Sequence, residues 1–251
     1  MTTNVRFSLS MGTQTLLHGD CLELMKNIPD KSIDMILCDL PYGTTQCKWD
    51  IVIPFDKLWK QYNRIIKNNG AIVLFGSEPF SSKLRISNID NYKYDWIWEK
   101  EQGVGQLNCK RRPLNKIENI SVFNSKKYNP QGLIKCSIKK KASNTDVYGK
   151  QKDYVQKNTN YPINILKFKR ELRGRFHPTQ KPIALMKYLI ETYTNEENIV
   201  LDNCMGSGST GVACKNLNRD FIGMELDEKY FNIATKRIND GWLKTKKDIF
   251  K

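Results

Sequence analysis

Two short runs carry residue types suited to chemistry: Asp39-Leu40-Pro41-Tyr42 near the start of the chain, and Asp202-Asn203-Cys204-Met205-Gly206-Ser207-Gly208 near its end. In the first, a carboxylate stands beside a backbone carbonyl fixed by proline. Together they can hold a planar amine while the tyrosine ring stacks on an aromatic base. A nucleobase amine is a poor nucleophile because its lone pair is delocalised into the ring, and such acceptors help it attack a methyl donor without a covalent enzyme intermediate. The same run also fits an ordinary strand-end turn with a capping aspartate. In the second run, glycines let a ligand approach the backbone closely ahead of a helix, and Glu225, one strand later, offers a carboxylate to ribose hydroxyls. Gly206-Ser207-Gly208 falls short of a full GxGxxG, and no Gly-Lys-Ser/Thr follows it. That disfavours dinucleotides and nucleoside triphosphates and leaves room for a nucleoside without phosphates. Alone, the run fits a tight structural turn as well as a cofactor loop.

Each run closes an apolar stretch, Met35 to Cys38 and Ile199 to Leu201, so each reads as the loop leaving the carboxyl end of a buried strand. Open α/β sheets keep their active sites at that edge. The elements that must position the two loops follow from periodicity. Strands are expected at Thr15 to Leu17, Asp34 to Cys38, Ala71 to Phe75, Tyr94 to Trp98, Ile120 to Phe123, Ile199 to Leu201 and Phe221 to Met224. Helices are expected from Gly19-Asp20 to Met25, Phe55 to Ile66 with Asn68-Asn69-Gly70 as its stop, Pro79 to Ser87, Pro182 to Tyr193, Ser209 to Leu217, and from about Glu228. The alternation predicts an α/β fold with a mainly parallel sheet. Between Asn124 and Arg175 the periodicity fails, which predicts a basic, loop-rich insertion and divides the chain into 1–123, 124–175 and 176–251.

The chain's 251 residues can bury one substantial core. Its net charge of +15 is concentrated in the middle third: Glu101 to Phe176 holds 18 Lys or Arg against 5 Asp or Glu. Interleaved with Tyr128, Tyr148, Tyr154 and Tyr161, this block suits phosphate neutralisation, or else a solvated lysine-rich surface. Lys110-Arg111-Arg112 is the candidate phosphate clamp, and Trp49 and Asp50 either shape the entrance behind the first loop or pack it down. The seven cysteines are odd in number and include no CxxC pair, which argues against a disulfide scaffold or a zinc site and points to a reducing cytoplasm. No metal is expected, since neither His18 nor His177 has a ligand cluster beside it. No apolar run has signal-peptide or membrane-spanning character.

Taken together and in order, Asp39 to Thr45, the basic region, His177-Pro178-Thr179-Gln180-Lys181-Pro182 and Asp202 to Gly208 closely resemble the β-class amino-group DNA methyltransferases, in which the catalytic motif precedes the cofactor motif. The resemblance runs from about Leu16 to Ile238. It implies a Rossmann-like sheet with one antiparallel strand near its edge, permuted motif order, and the basic insertion as a target-recognition region. It implies S-adenosylmethionine as cofactor and double-stranded DNA as partner, a base extruded from the duplex, and a prokaryotic or phage setting in the cytoplasm. A homodimer and a cognate restriction nuclease are further partners it allows. Position by position, Asp39 corresponds to the residue that binds the target amine, the Leu40 to Pro41 backbone to the second acceptor and Tyr42 to the stacking platform. Asp202, Cys204, Gly206 and Gly208 correspond to the cofactor loop, Glu225 to the ribose acid and Asp20 to the residue facing adenine. Thr179 and Lys181 fall in the motif that clamps the methionine end.

In that family an Asp at the first motif position accompanies adenine N6 more often than cytosine N4, so adenine is the expected target. Two positions depart from the family pattern: Asn203-Cys204 replaces Pro-Phe, which removes an aromatic neighbour of the cofactor, and Leu40 replaces a proline. RNA and protein-glutamine methyltransferases use a similar loop but place the glycine motif first. A catalytically idle DNA-binding protein would account for the charge without needing Asp39, Tyr42 and Glu225 together, and a dinucleotide oxidoreductase would need the full glycine fingerprint.

Overall fold

A computed structural model of the chain describes residues 13–47, 50–142, 149, 152–169, 176 and 180–240. Its centre is an eight-stranded sheet. The strands are β1 (Gln14–His18), β2 (Ile33–Cys38), β3 (Ile66–Gly76), β4 (Tyr92–Val104), β5 (Asn115–Phe123), β8 (Ile165–Lys167), β9 (Ile199–Asp202) and β10 (Asp220–Glu225), in the spatial order β1-β10-β9-β2-β3-β5-β4-β8. Every neighbouring pair is parallel except the two made by β5, so a single strand runs against the rest, third from one edge.

Helices cover both faces, which is why the central strands are apolar throughout rather than alternating. Met35 and Leu37 of β2 pack with α4 (Ile183–Tyr193), α5 (Ser209–Asn216) and α6 (Glu228–Asn239). The intervening Ile36 and Cys38 pack with α1 (Cys21–Met25), α2 (Phe55–Ile65) and α3 (Phe80–Ile86). Asp20 caps α1, its Oδ1 accepting from the backbone N–H groups of Leu22 and Glu23. Among the described residues no helix is long and apolar enough to cross a membrane.

Two expectations are corrected. Asn68-Asn69-Gly70 is not a helix stop: α2 turns extended at Ile66 and the triplet lies inside β3, opposite a register shift on β2. Gly70 is needed there for close approach, because a Cβ would lie 2.8 Å from the Asp34 carbonyl oxygen. The basic segment also holds more regular structure than a loop. Within it β6 (Ile134–Lys140) and β7 (Tyr154–Thr159) form an antiparallel ribbon, and β8 joins the main sheet beside β4.

Candidate active site

β1, β2, β9 and β10 end at one edge of the sheet, and their exit loops surround a cavity of about 630 Å³. That is an ordinary size for a small-molecule site. Asp39, Pro41 and Tyr42 enter it from β2, Asp202, Cys204 and Gly206 from β9, Glu225 from the end of β10, Asp20 from β1, and Lys181 from the segment leading into α4. The two runs 163 positions apart in sequence (39 to 202) therefore share one cavity, and β2 and β9 are adjacent strands.

On the β9–β10 side the backbone leaves open space at the cavity. Gly206 has φ +52° and open space where a Cβ would project, and its N–H donates to Glu225 Oε2 at 2.9 Å. The other carboxylate oxygen accepts from the Asp227 N–H. Burial pushes Glu225 above the usual carboxylate range, although these N–H donors oppose the shift. Ser209, at the first turn of α5, lines the cavity, and its Oγ is buried without a hydrogen-bond partner among the described residues. Gly208 backs onto α6, where a Cβ would come within 3.0 Å of Ala234 and Ile238.

The β2 side is dominated by charge. Asp39 Oδ1 accepts from the Tyr42 hydroxyl at 2.6 Å, and Asp39 Oδ2 accepts from Lys181 Nζ at 2.5 Å. Lys181 also pairs with Glu118 Oε1 at 2.8 Å, and Lys100 with Glu118 Oε2 at 2.7 Å. Burial drives the Asp39 carboxyl above the usual range against the pull of Lys181, whereas Lys181 and Lys100 outweigh burial at Glu118 and bring it to about 2. Tyr42 stays a hydroxyl donor, since burial and the two carboxylates push it well above its ordinary value.

A DNA methylase family model, that of the N6/N4 enzymes, matches residues 33–236, which takes in both loops and the strands between them. The chain belongs to the N6/N4 DNA methylases. Among its relatives, the type II methyltransferase M.HinfI of Haemophilus influenzae is 30% identical across 90% of this chain and 68% of its own length. M.HpaI of Haemophilus parainfluenzae is 28% identical across 90% and 74%. The M1.HpyAVI–SAM complex matches 90% of this chain and all of its own at a TM-score of 0.62 and 28% identity. The PvuII cytosine-N4-specific methyltransferase matches 94% and 95% at a TM-score of 0.66 and 17% identity, a likeness of fold.

In this methylase the loop after Tyr42 is packed down by Asp50, whose carboxylate accepts from the N–H groups of Gly43, Thr44 and Thr45 at 2.7–2.9 Å. Trp49, Thr179 and His177 lie outside the described residues. Lys110, Arg111 and Arg112 are exposed in the loop between β4 and β5, strands whose Lys100, Val104 and Glu118 line the cavity. Where the family has Pro-Phe, Asn203 accepts the buried Tyr62 hydroxyl at 2.5 Å and its Nδ2 lies 3.5 Å from the sulfurs of Cys21 and Cys204. The position is thus filled by a polar cluster that satisfies a buried hydroxyl.

Sequence reading missed Glu118 and Lys100, both buried in the site. A signal was present: Glu118 stands in phase with the core-facing Ile120 and Val122 of β5, where an apolar residue is expected.

Proposed function

We propose that this methylase transfers a methyl group from S-adenosylmethionine to the exocyclic N6 amine of an adenine extruded from double-stranded DNA. The observation that carries the reading is one cavity shared by the Asp39-Leu40-Pro41-Tyr42 loop and the Gly206–Glu225 cofactor loop. The fit to the cofactor rests on Glu225, with lone pairs beyond its two backbone contacts for ribose hydroxyls, on the open approach over Gly206, and on the unpartnered Ser209 hydroxyl. Asp20 stands at the adenine side. S-adenosylmethionine, when bound, supplies an electrophilic sulfonium methyl group.

The residues of the chain do the rest by position and field. Asp39 accepts one N–H of the target amine and the Leu40 carbonyl the other, which returns lone-pair density to the nitrogen and stabilises the positive charge that grows on it. The methyl–sulfur bond breaks as the methyl–nitrogen bond forms, the neutral thioether leaves, and the amine gives up one proton to solvent. Pro41 has no N–H to compete for those acceptors and fixes the direction of the chain between them. Tyr42 stacks on the extruded base while its hydroxyl stays on Asp39 and Glu118. Extrusion is required because the exocyclic nitrogen cannot be attacked inside the stacked duplex. The basic segment with its ribbon supplies target recognition, and Lys110, Arg111 and Arg112 hold phosphates. The type II naming of the Haemophilus relatives supports a cognate restriction nuclease as cellular partner.

The test is nucleoside analysis of unmethylated plasmid DNA after incubation with enzyme and labelled S-adenosylmethionine. N6-methyladenine is the expected product. N4-methylcytosine would reverse the choice of base, and labelling of RNA or protein alone would overturn the DNA acceptor.

A further inference from the structure

The two lysines behind Asp39 have no step in the reaction just described and Glu118 enters it only as a second acceptor for Tyr42, yet all three are among the most buried charges of the described residues. Side-chain exposure is 8% for Lys181 and 6% for both Lys100 and Glu118. Burying charges is costly unless each is paired, and these form a continuous chain: Lys100 to Glu118, Glu118 to Lys181, Lys181 to Asp39. Two cations face two carboxylates, so the set is neutral as a unit. Its members come from β4, β5, the lead into α4 and the β2 exit loop, four segments brought together only by the fold. Aromatic rings wall it in, with Lys100 Nζ 5.4 Å from the Trp98 ring centre and Lys181 Nζ 5.0 Å from that of Phe75.

We propose that Lys181 is the fixed counter-ion of Asp39, held in place by Glu118 and Lys100, and that these three are positioning residues that keep the Asp39 carboxylate ionised and aimed at the target amine. This rests on the reading of Asp39 as the amine acceptor and differs from the family-implied role of Lys181 as a clamp on the cofactor's methionine end. The geometry separates the two. The Lys181 ammonium is engaged by two carboxylates, one of them the proposed catalytic group. Each Asp39 oxygen has a second lone pair, so an arriving amine can share the carboxylate without displacing Lys181 or Tyr42.

The electrostatics give the two partners opposite effects. Of the groups facing Asp39, burial and Glu118 disfavour its ionised form, while Lys181 and the Tyr42 hydroxyl favour it. Asp202, at the end of β9, and Cys38, at the end of β2, also feel the Asp39 charge. If the reaction needs ionised Asp39, activity falls at low pH as that carboxylate takes a proton. Losing Lys181 must move the fall to higher pH, and neutralising Glu118 must move it to lower pH.

The experiment compares wild type, Lys181→Met, Lys181→Arg, Glu118→Gln, Asp39→Asn and Asp39→Ala in the full chain. It measures the pH profile of kcat on plasmid DNA and, separately, the affinity for S-adenosylmethionine by direct binding. The acid limb of Lys181→Met is expected to rise by about 1–3 pH units, the range typical of losing an adjacent opposite charge. Its kcat at neutral pH should fall at least about ten-fold, with cofactor affinity within about three-fold of wild type. Lys181→Arg keeps the charge and should restore the limb, and Glu118→Gln should shift it downward. Cofactor affinity of Lys181→Met down about ten-fold or more with an unmoved acid limb overturns the proposal in favour of the clamp. Should Lys181→Met not fold, an unmoved limb in Glu118→Gln overturns it equally. Activity retained by Asp39→Asn, whose amide oxygen still accepts an amine N–H, would show that ionisation is not needed and overturn this proposal, whereas activity retained by Asp39→Ala would sink the reading of Asp39 itself, a distinct failure.

Discussion

At the scale of the residue, the proposed site is two acceptors presented to an amine, and the detail that would tune them is the Tyr42 hydroxyl. It donates to Asp39 at 2.6 Å and to Glu118 at 3.1 Å, bridging the proposed catalytic carboxylate and its counter-charge chain. Tyr42→Phe keeps the ring that would stack on a base and removes only that bridge. A hydrogen bond to a charged group contributes about 1.5–3 kcal/mol, so kcat is expected to fall roughly ten- to hundred-fold with DNA KM little changed. A loss confined to KM would place the role of Tyr42 in base binding alone. Asp39, Tyr42 and Glu225 were legible because each follows an apolar run that can only be a buried strand. Glu118 and Lys100 were not. They sit 18 positions apart on strands paired antiparallel, where Glu118 opposes Trp98 and Lys100 lies two residues further along β4. Glu118 is announced only by its phase with Ile120 and Val122, and Lys100 has no local signal of its own.

At the scale of the element, the proposed function makes the β4–β5 pair the link between the chemistry and the DNA. The cavity-facing ends of both strands carry the buried charges, and the loop joining them beyond Val104 and Asn115 carries Lys110, Arg111 and Arg112 in the open. Replacing all three by Ala should weaken DNA binding uniformly across sequences. It should also reduce the slope of log K against log salt by about one for each phosphate that is no longer neutralised. An unchanged salt slope in a fluorescence-anisotropy titration would show that these cations remain solvated. The strands and helices of the core were legible because their apolar faces are continuous. The β6–β7 ribbon was not, since Ile134, Ile138, Tyr154 and Val155 are exposed and give no core-facing stripe to detect. Gly70 misled for a related reason: glycine after an amphipathic helix reads as a cap, whereas here it admits the Asp34 carbonyl of the neighbouring strand.

At the scale of the whole molecule, the sheet order brings the proposed cofactor half and the proposed amine-binding half into contact through β9 and β2, and that seam carries a titratable group. Asp202 is buried at the end of β9, and burial raises its carboxyl to about 7 even though Thr210 and the Cys204 N–H donate to it. A group whose folded value lies above its unfolded one favours the fold when protonated. Its contribution is complete at low pH and is lost as pH rises between about 4 and 7. Asp202→Asn should therefore flatten the fall of Tm with pH across that window, measured without cofactor. An unchanged slope would mean that Asp202 is ionised throughout.

The central claim is that Asp39 and the Gly206–Glu225 loop serve one reaction in one cavity but separable steps of it, amine activation and cofactor binding. The most direct measurement is methyl transfer to unmethylated plasmid DNA by wild type and Asp39→Ala, with S-adenosylmethionine affinity measured on the same preparations. Wild type should methylate the DNA, and Asp39→Ala should bind the cofactor with nearly wild-type affinity while transferring no methyl groups. Transfer that survives the loss of Asp39 would contradict the account.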